Sequence, residues 1–279
     1  MTVIPIVSFP KSGNTYLRFL LVNCLKSGNE PITFQNINDY SLTTFNASVE
    51  EKQKIKKRLL PGSPLLIKTH KNFSEVDFHE YTKVLYVYRN LKQVINSYYH
   101  FSEAQKPRFF RSKLDFVKNY WSYCGLWGAH LESWLKLNNE SSFELMKISY
   151  EELLTNPSLT LERIFQFLDI SVSKEKIIES IELSSKENLR KFSSVPFMQS
   201  KSNKYHFVRD KMKFQDIVDS KIEEIYLKEN LAKIWLNKLY NENHRVEEMK
   251  INKIRFYPSI WRRHIINIRY RFYHLRHGK

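Results

Sequence analysis

The feature that most constrains the fold of this chain is a strand–turn–helix unit in residues 3–19, VIPIVSFPKSGNTYLRF. The apolar run from Val3 to Val7 is rich in β-branched residues, which predicts a short buried strand. The strand is expected to end before Pro10, because proline has no N–H group to donate to a sheet. A polar turn from Lys11 to Thr15 follows, and the pattern from Tyr16 to Lys26 predicts a helix.

The turn has the chemistry of an anion-binding cradle. A helix that begins directly after a polar turn presents backbone N–H groups and the positive end of its dipole, which together suit a phosphate-sized anion. The turn is not the nucleotide-binding pattern GxxxxGK[ST], because Lys11 precedes the single Gly13 and no second glycine lies upstream. This weakens a nucleoside-triphosphate interpretation. An ordinary βα turn that carries a basic residue remains the other interpretation of the local chemistry.

The charge of the chain indicates an anionic partner. Its 279 residues carry a net charge of +16, which suits nucleic acid, a phosphorylated cofactor, an anionic glycan or a membrane surface. Residues 251–279 hold eight lysines and arginines and no acidic residue, so they account for half of the net positive charge. The remaining residues are only moderately basic, and this favours a specific anion site over a surface coated for nucleic acid.

Cysteine and histidine usage predicts no metal site. Cys24 and Cys124 each lie inside a predicted helix, where a reduced core thiol is expected. The nine histidines show no HExxH spacing, and two cysteines cannot build a zinc site. No signal-peptide pattern precedes the first strand and no apolar run reaches the length of a membrane helix, so the sequence predicts a cytoplasmic protein.

The rest of the chain predicts an α/β fold with a parallel sheet. Apolar runs at residues 64–70, 83–88 and 143–148 are predicted strands, and residues 29–47 are predicted to be an irregular, exposed segment. Strands that alternate with helices indicate βαβ units. Further helices are expected from the cap Ser48 to about residue 58, at residues 91–101, 113–137, 157–167, 173–183 and 185–192, and from about 217 to 240. We predict one domain over residues 1–245 and a basic extension over residues 246–279.

Polar residues follow three of the predicted strands. Lys11 and the cradle follow the first, Lys68 and His70 end the second, and Arg89 follows the third. Ligands of open α/β sheets bind beyond the carboxyl ends of the strands. The sequence therefore predicts one anion-handling site at this edge of the sheet.

Two of these segments resemble a known family. The stretch from Pro10 to Tyr16 resembles the 5′-phosphosulfate loop of the sulfotransferases that use 3′-phosphoadenosine 5′-phosphosulfate (PAPS). The stretch from Tyr88 to Phe101 is similar to the 3′-phosphate motif of that family, in which an arginine and a serine lie eight residues apart, here Arg89 and Ser97. The order of the two motifs along the chain also matches the family.

Two further segments extend the resemblance to residues 3–240. Lys68-Thr69-His70 resembles the family's Lys-Ser/Thr-His at the end of a middle strand, and residues 150–168 resemble its next block. The resemblance implies a P-loop-like, three-layer α/β fold with a central parallel sheet flanked by helices.

The resemblance implies which residues bind PAPS. By this resemblance, the cradle would hold the 5′-phosphosulfate, Arg89 and Ser97 would hold the 3′-phosphate, and Tyr16 and Tyr150 would contact the adenine region. Arg209 would close on the 3′-phosphate, although its segment lacks the glycines that the family carries there. The full set is Lys11, Ser12, Gly13, Asn14, Thr15, Tyr16, Arg89, Ser97, Tyr150 and Arg209.

The resemblance also implies the catalytic residues His70, Lys11 and Lys68. His70 would be the general base, a role that suits histidine near neutral pH. Lys11 would neutralise charge on the bridging oxygen, and Lys68 would be a nearby cationic helper. No metal is required, because positioning and cationic stabilisation supply most of the catalysis in a loose transfer of this kind.

The predicted function is transfer of a sulfuryl group from PAPS to an acceptor hydroxyl, in a carbohydrate or glycolipid. Phenols, sterols, small alcohols and amines stay open as acceptors. One alternative is a non-catalytic basic module that binds nucleic acid or acidic lipid, although nucleic acid is not an expected partner. The other is a small-molecule kinase, against which the absence of the GxxxxGK[ST] spacing argues.

The basic extension carries a helical stripe of apolar residues, spaced four, three, four and three apart: Trp261, Ile265, Ile268, Phe272 and Leu275. A column of arginines runs beside the stripe. Such a helix either lies on anionic lipid, which would make the cytoplasmic protein membrane-associated, or docks on its own domain. The sequence leaves both open.

Overall fold

The computed structural model describes residues 2–73, 81–105, 116, 127–135 and 143–193. Its predicted strands and helices follow one another along the chain in the predicted order. The strands are β1 Val3–Ser8, β2 Leu65–Thr69, β3 Lys83–Tyr88 and β4 Glu144–Ser149. The helices are α1 Asn14–Leu25, α2 Val49–Lys56, α3 Leu91–Gln105, α4 Trp127–Leu135, α5 Tyr150–Thr155, α6 Pro157–Phe167, α7 Lys174–Leu183 and α8 Lys186–Ser193, with a 3₁₀ turn at Ile37–Asp39.

The four strands form one parallel sheet in the order β2-β1-β3-β4. The register pairs Ile6 of β1 with Lys68 of β2 on one side and with Leu85 of β3 on the other. All three neighbouring pairs are parallel. The predicted fold class, an α/β fold with a central parallel sheet, is confirmed.

Helices cover both faces of the sheet. On one face, Ile6 and Val87 share a buried cluster with Leu17 of α1. On the other face, the ring of Tyr86 stacks at 5.8 Å on both His130 and Trp134 of α4. A sheet that is buried on both faces needs nearly continuous apolar strands, which explains why the strand segments lack polar alternation.

The strand order places a topological switch point between β1 and β3. The chain runs from β1 to β2 on one side of β1 and then returns to β3 on its other side. The segments that leave β1 and β3 therefore diverge, and a crevice opens at their carboxyl ends. Lys11 follows β1 and Arg89 follows β3, so both lie at this crevice.

The prediction that residues 29–47 are exposed is wrong for several of these residues. Leu42 extends the sheet edge, since its N–H donates to Leu66 O (2.7 Å) and its carbonyl accepts from Lys68 N (3.0 Å). The apolar residues of this segment follow neither a helical nor a strand period, so their burial is invisible in the pattern. The buried ones are Ile32, Phe34, Ile37, Tyr40, Leu42 and Ala47.

Several sequence predictions fall outside the described residues. Of the helix predicted over 113–137, the structure describes Phe116 and Trp127–Leu135, both helical. The predictions for Arg209, for Cys124 and for the boundary between residues 245 and 246 lie outside, as does the apolar stripe of the extension. Among the described helices, none has the length and apolar character needed to cross a bilayer.

Candidate active site

Gly13 shapes the cradle between β1 and α1. It has φ 109° and ψ 1°, a conformation that glycine adopts without the steric penalty of a side chain. A Cβ atom placed on it would lie 2.4 Å from Cδ2 of Tyr150. Lys11 also has a positive φ of 68°, so two residues with left-handed backbone fold the turn. Glycine is therefore required at position 13 both by the backbone and by the neighbouring ring.

The side chains at the start of α1 leave buried polar atoms for a ligand. Asn14 ties the helix to the sheet, because its Nδ2 donates to Ile6 O at 2.7 Å. The Ser12 hydroxyl is buried and bonds to no described residue, and Asn14 Oδ1 is in the same situation. A buried polar group without a partner costs about 1–3 kcal/mol. An oxyanion in the cradle would accept the hydrogen bond of the Ser12 hydroxyl, so the cradle fits the group that the resemblance implies.

The guanidinium of Arg89 joins β3 to the cradle. Its Nη1 donates to Lys11 O at 3.2 Å and its Nε donates to Gln93 Oε1 at 3.0 Å. The group also lies 4.2 Å from the ring centroid of Tyr150. Burial lowers the pKa of Arg89, while Tyr150 and the nearby carboxylate of Glu151 act in the opposite direction. A cation is thus held beside the cradle, as the sequence predicts.

Two tyrosines line the same side of the cradle. The ring centroids of Tyr16 and Tyr150 are 6.2 Å apart at an interplanar angle of 76°. Burial and, to a smaller extent, the neighbouring Tyr150 raise the pKa of Tyr16 to about 12. Burial also raises the pKa of Tyr150. Both phenols therefore stay neutral. Tyr150 touches Gly13 and Arg89 at once, a double role that the sequence does not reveal.

Helix α3 contributes Ser97 and Phe101. Nζ of Lys11 lies 4.3 Å from the ring centroid of Phe101, so this helix packs against the cradle lysine. Ser97 is half-buried nearly two turns into the helix. Among the described residues, Arg89 bonds to Gln93 and Lys11 rather than to Ser97. The structure therefore places Ser97 on the expected helix without a hydrogen bond to Arg89.

His70 lies beyond β2 in a defined tautomer. Its Nδ1 is 2.7 Å from Ser8 O and 3.2 Å from Ser8 Oγ. A carbonyl oxygen only accepts, so Nδ1 carries the proton and Nε2 is the acceptor nitrogen. Burial and, to a smaller extent, the charge of Lys68 lower the pKa of His70 to about 3. The imidazole is therefore neutral at physiological pH and can take a proton from a bound hydroxyl.

Two lysines lower the pKa of His70. Lys68 is half-buried, and burial together with the charge of Arg18 lowers its pKa to about 8. Lys68 and, more weakly, Lys11 both lower the pKa of His70. The structure thus brings the three predicted catalytic residues into one electrostatic cluster.

Sequence reasoning missed the residues that support this cluster. Ser8 orients His70, and Trp134 of α4 donates from Nε1 to Lys71 O at 3.1 Å. His130, on the same helix, bonds to the hydroxyl of Tyr86 at 3.0 Å and is fully buried. In the sequence, Ser8 and His130 stand out only as polar residues within otherwise apolar patterns. No group of metal-ligating side chains occurs in the described part of the chain.

Comparison with known proteins identifies the family of this chain. The family model for the sulfotransferase domain matches residues 2–250, so the chain belongs to the sulfotransferase domain family. The chain is 31% identical over 210 residues to cytosolic sulfotransferase 7 of Arabidopsis thaliana, which covers 68% of this chain and 64% of that relative. It is 29% identical over 225 residues to mouse sulfotransferase 1B1, covering 74% of this chain and 73% of the relative.

Solved structures share the fold. Mouse sulfotransferase SULT7A1, complexed with PAP, superposes with a TM-score of 0.59 at 17% identity, over 86% of this chain and 89% of that one. Retinol dehydratase, in complex with androsterone and the inactive cofactor PAP, superposes with a TM-score of 0.58 at 15% identity, over 89% of this chain and 83% of that one. At these identities the likeness concerns the fold.

Proposed function

We propose that this protein transfers a sulfuryl group from PAPS to the hydroxyl group of an acceptor. The observation that carries the proposal is the hydrogen bond from Arg89 to the carbonyl of Lys11. It brings a cation suited to a 3′-phosphate next to the cradle suited to a 5′-phosphosulfate, as the binding of one bisphosphate nucleotide requires.

The described residues divide the binding of PAPS between them. The N–H groups that begin α1, with the hydroxyls of Ser12 and Thr15, would hold the 5′-phosphosulfate. Arg89, with Ser97 of α3, would hold the 3′-phosphate. Tyr16 and Tyr150 offer ring surfaces beside the cradle for the adenine. The proposed contribution of Arg209 lies outside the described residues.

The chain's own residues provide the remaining chemistry. When bound, PAPS supplies the sulfuryl group, whose bond to the 5′-phosphate oxygen breaks as a bond to the acceptor oxygen forms. His70 accepts the hydroxyl proton at Nε2, because Ser8 holds the other nitrogen as a donor. Lys11 and the cradle N–H groups stabilise the negative charge that builds on the leaving phosphate. Lys68 adds a second positive charge close to the base.

The acceptor is proposed to be a carbohydrate or a glycolipid, and the protein is proposed to act in the cytoplasm. Both relatives named above are sulfotransferases, and one carries the word cytosolic in its name.

The basic extension, residues 246–279, is proposed as the part that contacts anionic lipid. Truncation after Glu248 should abolish binding to liposomes that contain phosphatidylserine, and undiminished binding would rule this role out.

Transfer of ³⁵S from labelled PAPS to a panel of sugars, glycolipids and phenols tests the function. We expect wild-type protein to label at least one acceptor and His70→Ala to lose that transfer while it still binds 3′-phosphoadenosine 5′-phosphate. His79→Ala serves as a control because it makes the same change at another histidine. Binding of the bisphosphate without transfer to any acceptor would instead favour a non-catalytic module.

A further inference from the structure

Arg18 is a buried cation that the proposed mechanism does not use. It lies one turn into α1 and only 3% of its surface is exposed. Its Nε donates to Ser41 Oγ at 3.1 Å and its Nη2 donates to Asn38 Oδ1 at 2.8 Å. Both partners are neutral, so nothing in these contacts offsets the charge.

Within the described part of the chain, no carboxylate forms an ion pair with Arg18, and its Nη1 group bonds to none of the described residues. Burial lowers the pKa of Arg18 to about 10, so the group remains charged at neutral pH. Buried charges in proteins are normally paired, because removing an ion from water costs several kcal/mol. An apolar side chain of similar length would fill the same space without this cost, so the charge itself calls for an explanation.

The surroundings of Arg18 connect it to Lys68 and His70 of the candidate active site. Ser41, which binds the guanidinium, precedes Leu42, whose carbonyl accepts from the backbone N–H of Lys68 at 3.0 Å. The charge of Arg18 also reaches the ammonium of Lys68, which in turn acts on His70. Asn38 is exposed, so the guanidinium lies one residue below the surface.

The donor does not need this pair of cations. Its two anionic ends are matched by the cradle and by Arg89, which lie at the carboxyl ends of β1 and β3. Lys68 belongs to β2, at the opposite side of β1, and Arg18 contacts the segment that covers the edge of β2. The two cations are therefore associated with the β2 side of the sheet, whereas Arg89 follows β3.

We propose that Arg18, together with Lys68, binds an anionic group on the acceptor: a carboxylate, sulfate or phosphate near the hydroxyl that His70 deprotonates. This inference rests on the proposed function and narrows its substrate class to acidic acceptors, such as uronic acids or sugars that already carry a sulfate or phosphate. A guanidinium suits this role because its planar fork of N–H donors matches an oxyanion.

Matched acceptor pairs test the proposal. Methyl β-D-glucuronoside is compared with methyl β-D-glucoside, and 4-hydroxybenzoate with 4-hydroxybenzamide, so that each pair differs mainly in one negative charge. Binding to protein saturated with 3′-phosphoadenosine 5′-phosphate is measured by calorimetry, and kcat/KM is measured with PAPS. Charge-assisted hydrogen bonds of this type predict that the anionic member of at least one pair is preferred by about 10-fold or more.

Substitution of Arg18 should remove that preference. In Arg18→Gln the anionic and neutral members should bind about equally, whereas Arg18→Lys should keep part of the preference. Arg163→Gln removes the same charge from an exposed site on α6, and we expect it to leave the preference unchanged. Added salt should weaken the anionic member's binding selectively.

Three results would overturn the proposal. The first is that wild-type protein shows no preference for the anionic member of either pair, and the second is that a preference survives in Arg18→Gln. The third is that Arg18→Gln no longer binds 3′-phosphoadenosine 5′-phosphate, which would assign the cation to the donor. The wild-type comparison stands even if Arg18→Gln does not fold. Failure of the proposed function looks different, because wild-type protein would then not bind the bisphosphate nucleotide at all.

Discussion

Replacement of Gly13 by alanine tests the shape of the cradle. The backbone has φ 109°, and holding a residue other than glycine in such a conformation costs about 1–3 kcal/mol. The new Cβ would also lie 2.4 Å from Cδ2 of Tyr150, so the ring must move by about 1 Å to reach ordinary van der Waals contact. Overpacking of this kind costs about 1–3 kcal/mol. Gly13→Ala should therefore lower the free energy of unfolding by about 2–6 kcal/mol.

Urea unfolding in matched backgrounds separates the two contributions. In Tyr150→Ala the ring is absent, so Gly13→Ala should cost only the backbone strain, about 1–3 kcal/mol. Tyr150→Phe keeps the ring and should restore the full cost. Gly62→Ala is the second control, since Gly62 has φ 82° and a Cβ added there would meet nothing within 4 Å, so that the substitution carries strain alone. If Gly13→Ala costs the same with and without the ring at position 150, the described approach of Tyr150 to the cradle is wrong.

Three further predictions concern stability and binding. Ser12→Ala should leave the free energy of unfolding unchanged or slightly raised, because the hydroxyl is buried without a described partner. The same substitution should weaken the binding of 3′-phosphoadenosine 5′-phosphate by about 10-fold in calorimetry. A clear loss of stability with intact binding would contradict this prediction. Asn14→Ala should destabilise the protein by about 1–2 kcal/mol in urea unfolding, since Ile6 O loses its donor, and an unchanged midpoint would argue against that tie. Burial holds the pKa values of His70 and His130 at about 3, so each binds a proton in the unfolded chain below its ordinary pKa of 6.5 but not in the folded protein. Stability should therefore fall as pH drops from 6.5 towards 3, by about 1.4 kcal/mol per pH unit for each histidine, and His130→Gln should reduce that slope.

The sequence predicts the parts of the site that lie next to a strand end. Lys11, His70 and Arg89 each follow an apolar run, and parallel strands bring such positions to one edge of a sheet. The structure agrees, because Arg89 bonds to Lys11 O and His70 bonds to Ser8 O across neighbouring strands. Local pattern is sufficient for these residues, since their relative position follows from the sheet alone.

Contacts between distant segments are not predictable in this way. Tyr150 approaches Gly13 across 137 positions of sequence, and no local pattern reports that approach. The start of α1 moves from the predicted Tyr16 to Asn14, because Gly13 ends the turn earlier than the apolar period suggests. Arg18 interrupts an apolar helix, which is a visible signal, but its neutral partners in a segment without periodicity are not.

The central claim is that one site binds a nucleotide with phosphates at both its 3′ and 5′ positions. Calorimetry with 3′-phosphoadenosine 5′-phosphate and with adenosine 5′-phosphate tests it most directly. We predict that the bisphosphate binds wild-type protein about 10- to 100-fold more tightly, as expected for charge-assisted hydrogen bonds to one phosphate, and that Arg89→Ala removes this difference. Equal affinity of the two nucleotides for wild-type protein would contradict the account.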